Sequence, residues 1–101
     1  MIIYNVTIKI DRAAHQQWLK WMLEVHVPEV MATGFFTKNT VCKLKEKEDE
    51  DGFTYAFMYY CESQKKLNTY MQKHAPALQR DHDSRFSEKY VAFRTQLEVI
   101  A

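Results

Sequence analysis

The side chains able to move protons, hold metals or grip a small polar molecule are four histidines, two cysteines, six tyrosines and one mid-strand arginine, Arg94. His26 stands in "EVHVPEVMATGFF", just before Pro28, where an apolar helical pattern is interrupted. On a helical wheel it falls near Met22 and Leu19, inside the apolar arc. His82 repeats at four-residue spacing with Leu78 and Phe86, so it too leans inward. Histidine is an uncommon core residue, and an imidazole in a crevice serves as acid, base or hydrogen-bond partner. A structural role stands beside that one. A histidine next to a proline break can donate to a freed carbonyl, such as that of Glu24, or sit as a cation at the negative helix end. Nothing in the spacing says whether His26 and His82 meet.

Arg94 lies with Asn5, Thr7 and Gln96 on the sheet face expected to meet a second chain. It either pairs with Glu98 or a partner's carboxylate, or grips an acidic ligand in an inter-subunit cavity. Tyr59 belongs to a generous aromatic supply, with Tyr4, Tyr55, Tyr60, Trp18 and Trp21. Such residues fill cores or line small-molecule pockets. The candidate ligand-pocket residues are therefore His26, His82, Tyr59 and Arg94. His15 and His74 read as surface or rim residues. Cys42 and Cys61 are a redox pair or two small hydrophobes. No HxH or HExxH spacing exists, so no metal site is expected. Two glycines cannot build a phosphate loop, and no Ser-His-Asp or Cys-His arrangement is legible, so no cofactor and no catalytic residue is assigned.

The elements that must position these residues follow from periodicity. "IIYNVTIKI" alternates as a half-buried strand, with Ile2, Tyr4, Val6, Ile8 and Ile10 on one face. Asp11 offers an N-cap. A helix starts near Arg12, with Trp18, Leu19, Trp21, Met22, Leu23, Val25 and Val30 on its apolar arc. Pro28 leaves the Glu24 carbonyl without its donor, so the helix kinks or restarts there. Gly34 is the helix stop. A strand over Phe36 to Leu44, a charged tip ending in Asp51-Gly52 and the strand "FTYAFMYYC" form a hairpin. The acidic run Glu48–Asp51, interleaved with Lys45 and Lys47, reads as its solvated end. A two-residue Asp51-Gly52 turn sets Cys42 opposite Cys61; a longer loop shifts that register. Ser63 caps a second helix with Leu67, Tyr70 and Met71 in a stripe, Pro76 starts a further segment, and "YVAFRTQLEVI" is the last strand.

The order is β-α-β-β-α-β, an α+β ferredoxin-like arrangement whose antiparallel sheet has strand order 4-1-3-2, with helices on one face and one domain over residues 1–101. Ile2, Tyr4, Val6 and Ile8 are expected under the helices together with Val91, Phe93 and Leu97. Ile3, Asn5, Thr7, Tyr90, Arg94 and Gln96 are expected on the open face. The third strand is apolar on both sides, and 101 residues leave no element for a second cover. A two-fold dimer, sheet against sheet, solves this.

Lys+Arg of 14 against Asp+Glu of 13 leaves no footprint for nucleic-acid backbones or anionic lipid. No apolar run of about 18 residues exists to span a membrane. The start "MIIYNVTIKID" does not read as a signal peptide, and two distant cysteines fit a reducing cytoplasm.

With its helix ending "HVPEVMATGFF" before the second strand, the chain resembles the dimeric α/β-barrel superfamily, which includes antibiotic-biosynthesis-type monooxygenases and muconolactone-isomerase-like and YCII-type proteins. "IIYNVT", "HVPEVMATGFF", "CES", "APALQ" and "VAFRTQLEV" resemble, more closely, an uncharacterised family of bacterial proteins of this length. The resemblance implies a fold and a homodimer, and no activity. Three functions compete. The first is a small-molecule-binding or cofactor-free enzyme domain, its ligand held in a helix–sheet crevice or inter-subunit cavity. The second is a structural or regulatory homodimer. The third, an RNA-binding module, rests on "DGFTYAFMYY", where Phe53 and Tyr55 take the place of stacking aromatics. It is disfavoured because Asp51 and Thr54 break that motif and the chain is almost neutral.

Overall fold

The computed structural model describes residues 1–45 and 51–101. Strand β1 spans Ile2–Asp11. A short 3₁₀ turn over Arg12–Ala14 leads into α1, His15–Trp21, which passes through a π-helical turn, Met22–His26, into α2, Val27–Ala32. Strands β2, Lys38–Lys43, and β3, Gly52–Cys61, follow. Helices α3, Gln64–Lys73, and α4, Ala75–Phe86, precede β4, Tyr90–Glu98. The sheet is antiparallel throughout, in the order β2-β3-β1-β4, which is the expected 4-1-3-2 order read from its other edge.

β1 and β3 are the two central strands, each paired on both sides. The even-numbered residues of β1 and the odd-numbered residues of β3 bury Tyr4, Ile8, Ile10, Tyr55, Phe57 and Tyr59 against the helices. Trp18, Met22 and Val30 come down from the first helical run, and Leu67, Tyr70 and Phe86 from the second. Ser63 caps α3, its hydroxyl accepting the Lys66 N–H at 3.2 Å. Gly34 ends α2 as expected: at φ 82° its N–H closes on the Met31 carbonyl, a left-handed stop that glycine adopts without strain. Asp11 makes no side-chain cap and instead ends β1, its N–H bound to the Lys89 carbonyl. Leu23 is exposed, where a uniform helix would have turned it inward; the π turn rotates the residues that follow Trp21.

Two expectations are corrected. The hairpin register pairs Cys42 with Ala56 and Lys43 with Tyr55, so the loop is longer than a two-residue Asp51-Gly52 turn. Its tip, 46–50, with most of the acidic run, lies outside the described residues. Cys42 is exposed on the open face and Cys61 is buried under the helices opposite Ile2, so the two thiols do not meet. Gly52 has another task. A Cβ there would sit 2.1 Å from the Ile10 carbonyl oxygen, so only glycine lets β3 begin against the end of β1.

The second correction reverses the faces of β4. Thr7 opposes Phe93 and Val6 opposes Arg94. Val91, Phe93 and Leu97 therefore share the open face with Ile3, Asn5 and Thr7, while Tyr90, Ala92, Arg94 and Gln96 face the helices. Hydrophobic parity misleads here because β4 is an edge strand. Its polar residues find partners at the rim of the helical layer: Tyr90 donates to Asp83 at 2.9 Å, and Gln96 accepts from Gln64 at 2.9 Å.

Gly52→Ala is expected to cost roughly 1–3 kcal/mol, the usual range for forcing a methyl into packed space. Urea unfolding at neutral pH measures it; an unchanged midpoint would contradict the close approach to Ile10.

Candidate functional site

Pro28 has no N–H, so an α-helix here would leave the Glu24 carbonyl open. The chain responds by widening: the Val27 N–H reaches back to the Met22 carbonyl, one residue farther than α-helical spacing. Such π turns are rare and gather at functional sites. This one sets His26 half-buried against the Trp21 ring, with centroids 5.2 Å apart, and against His82 at 5.8 Å. His26 Nδ1 is buried and has no hydrogen-bond partner among the described residues, so a bond from it to a freed carbonyl does not account for it. Burial lowers its pKa to about 4; the Asp81 carboxylate pulls the other way and the Arg94 guanidinium adds to the lowering. The ring is neutral at pH 7 and is not a helix-end cation.

His82 is only 4 % exposed on α4. The Trp18 indole Nε1–H donates to His82 Nε2 at 2.9 Å. That nitrogen must accept, so the neutral ring carries its proton on Nδ1. Burial again brings the pKa to about 4, His26 and Arg94 push the same way, and Asp83 and Asp81 oppose them. The ring also meets Tyr90 edge-on at 4.4 Å.

Both histidines line a crevice between helices and sheet that Tyr59 and Arg94 share. Arg94 reaches it because β4 presents the parity opposite to the one its apolar residues advertise. The floor carries Tyr4, Tyr59 and Tyr70, whose hydroxyls burial holds above their usual pKa. Side chains of Gln79 and Arg94 reach the Tyr4 hydroxyl. The free space is about 30 Å³. Tyr70 reads from sequence as a stripe residue and Gln79 carries no signal at all; only packing makes either of them part of the crevice.

A larger open groove, about 590 Å³, runs outside along α1 and the end of α4 and includes Trp21, Phe86, Lys20, Glu24 and Arg85. Its acid and base groups are exposed carboxylates and lysines, and among the described residues its wall holds no histidine, cysteine or tyrosine; His26 and His82 line the inner crevice instead. His15, expected at the rim, is half-buried; it shares a 2.6 Å hydrogen bond with Tyr55 and stacks on Phe53 at 4.0 Å. His74 packs against Phe35 at 5.4 Å. Phe53 and Tyr55 both face the helices, so neither stands on the open face where a nucleic-acid reading would place it. Among the described residues, no group of three or more His, Cys, Asp or Glu could hold a metal ion, and no helix is long and apolar enough to cross a membrane.

The histidines make stability depend on pH. Unfolded, each titrates near the reference value of about 6.5; folded, each titrates at about 4. Between those values the unfolded chain binds more protons, so stability is full above about pH 6.5 and falls as pH drops toward 4. The loss is on the order of 3 kcal/mol for one such histidine. His82→Gln keeps an acceptor for Trp18 and does not titrate, so it is expected to flatten the decline. Urea midpoints across this pH range test it; equal slopes in both proteins would refute the assignment.

No curated protein is matched by this chain. Solved structures share its fold at low identity. An ethyl tert-butyl ether d (ethd) family protein from Bacillus halodurans superposes with a TM-score of 0.71 at 13 % identity, over 99 % of this chain and 100 % of that one. A dimeric ferredoxin-like protein from an uncultured marine organism gives 0.70 at 8 %, over 100 % and 96 %. SnoaB, a cofactor-independent oxygenase from Streptomyces nogalater, gives 0.64 at 8 %, over 97 % and 92 %. The expected ferredoxin-like fold is thus found in full-length neighbours. Over residues 1–100 the chain matches the model of a domain of unknown function, DUF4286, and it belongs to that family.

Proposed function

We propose that this protein binds a small molecule in the helix–sheet crevice and works as a homodimer. One observation carries the binding half: a neutral imidazole nitrogen, His26 Nδ1, is buried without a partner where His82, Tyr59 and Arg94 converge. A buried polar atom left unpaired costs roughly 1–3 kcal/mol, a cost that a ligand group can remove. The crevice joins apolar walls to a few convergent polar groups, which is how small-molecule sites are built.

The dimer is supported by the open sheet face. Phe93 is 66 % exposed and Val91 55 %, with Leu97 on the same strand face and Leu44 exposed at the far edge of the sheet. Asn5 Nδ2 donates to Thr7 and Thr95 on that face, while its Oδ1 is buried and unpaired. A two-fold contact of sheet on sheet covers the apolar residues and offers Asn5 a partner. The neighbour described as a dimeric ferredoxin-like protein agrees with this reading. Exposed, unpaired Cys42 fits a reducing cytoplasm.

Two measurements test the two halves separately. A chemically broad fragment panel is screened by the ring resonances of His26 and His82. At least one fragment is expected to saturate them, and Leu78→Trp, which fills the crevice, is expected to abolish the effect; silence across the panel overturns the binding half. Light scattering on a sizing column is expected to give the mass of two chains, and Phe93→Asp the mass of one. A single-chain mass for the unaltered protein overturns the dimer.

A further inference from the structure

We propose that the crevice is a carboxylate site, taking the head of a small organic acid between Arg94, Tyr4, Gln79 and His26. This rests on the crevice reading above and names its ligand class.

Three observations converge. The first is the donor set. Arg94 offers only donors, Tyr4 an O–H, Gln79 an amide N–H, and His26 Nδ1 is the position left without a partner. Among the described residues no carboxylate lines this space, so none of them neutralises its positive charge from within. The second is size. About 30 Å³ is room for roughly two water-sized groups at ~10–15 Å³ each. Only a small polar head fits that room, and a carboxylate is of that order. The third is position. Arg94 sits on the edge strand and is itself exposed, so the acid's head lies inside and its body leaves past the guanidinium.

Binding is linked to a proton. The groups around His26 are Tyr4 from β1, Tyr59 from β3, Arg94 from β4, Tyr70 from α3, and Gln79, His82 and Asp81 from α4, with Trp21 preceding it on its own helical run. The charges acting on it are Arg94, which opposes its protonation, and Asp81, which favours it. Burial is the main cause of the lowering; an anion seated on Arg94 and against Nδ1 cancels the Arg94 effect and adds its own attraction for the charged ring, which opposes the burial. His26 then takes a proton from water and donates from Nδ1 to the bound oxygen, a charge-assisted hydrogen bond. The N–H formed on His26 is the one bond that changes; its proton comes from the solvent, and the bound acid stays chemically intact.

The test uses formate and acetate as probes and acetamide as the uncharged isostere, followed by the ring resonances of His26 and His82. Formate and acetate are expected to saturate, more tightly at about pH 6 than at about pH 8, with proton uptake on binding. Acetamide is expected to bind at least about tenfold more weakly, and Arg94→Met to lose about tenfold or more for acetate, as for removal of a charged partner. His26→Gln, which keeps a donor amide, is expected to retain binding and lose its pH dependence. Acetamide binding as tightly as acetate overturns the carboxylate assignment and leaves the crevice reading intact, as does failure of both acids while other fragments saturate. Silence of the acids and the whole fragment panel together overturns both.

Discussion

The indole N–H of Trp18 ends inside the core, where water cannot reach it, and its partner there is His82 Nε2 on α4. That bond joins the first helical run to the last helix across the top of the sheet. Its net worth is modest, about 1 kcal/mol, yet losing the acceptor would strand a buried donor at a cost of roughly 1–3 kcal/mol. It also selects the protonation state. A charged His82 would have no lone pair to offer Trp18, so the fold and the neutral ring require each other. Burial and the nearby Arg94 act in the same direction, and the neutrality extends to His26 beside it.

Pro28 does for the backbone what Trp18 does for the side chains. By withholding one donor it makes the α-helical spacing before it untenable, and the widened turn over Met22–His26 follows. The same turn leaves Leu23 exposed and holds His26 against the Trp21 and His82 rings. Thus a missing N–H at one residue places a half-buried imidazole, with a free nitrogen, over a floor of tyrosine hydroxyls. Arg94 meets them from the sheet edge, which gives the crevice its single positive charge.

The two faces of the sheet divide the work. Under the helices lie the aromatic core and the polar crevice; on the other side a patch of Phe93, Val91 and Leu97 surrounds Asn5, whose Oδ1 is unpaired. β4 serves both. It turns its polar parity to the helices, Arg94 to the crevice and Tyr90 and Gln96 to partners at the rim, and its apolar parity to the outside. A strand buried only by its own helices would do the reverse.

Alternation in β1 and β3, the Ser63 cap, the Gly34 stop and the two prolines suffice, from sequence alone, to determine the βαββαβ order and the sheet topology. These are local signals, read within a few residues of where they act. The inward lean of His26 and His82 is equally legible, because helical spacing states which side faces the core. Their convergence is not legible, since residues 26 and 82 meet only after two helices pack on one sheet. The face of Arg94 is misread for a similar reason. Apolar alternation says that one side of β4 is to be covered, and only tertiary structure decides whether helices or a second surface cover it. The hairpin register, and with it the separation of Cys42 from Cys61, depends on loop length and on the tight contact of Gly52 with Ile10, neither of which is written in the pattern of the strands. Local periodicity therefore determines the elements and which residues share a side, while the side that is covered in β4, the crevice, the tautomer of His82 and the free nitrogen of His26 are decided by which distant side chains are left to satisfy one another.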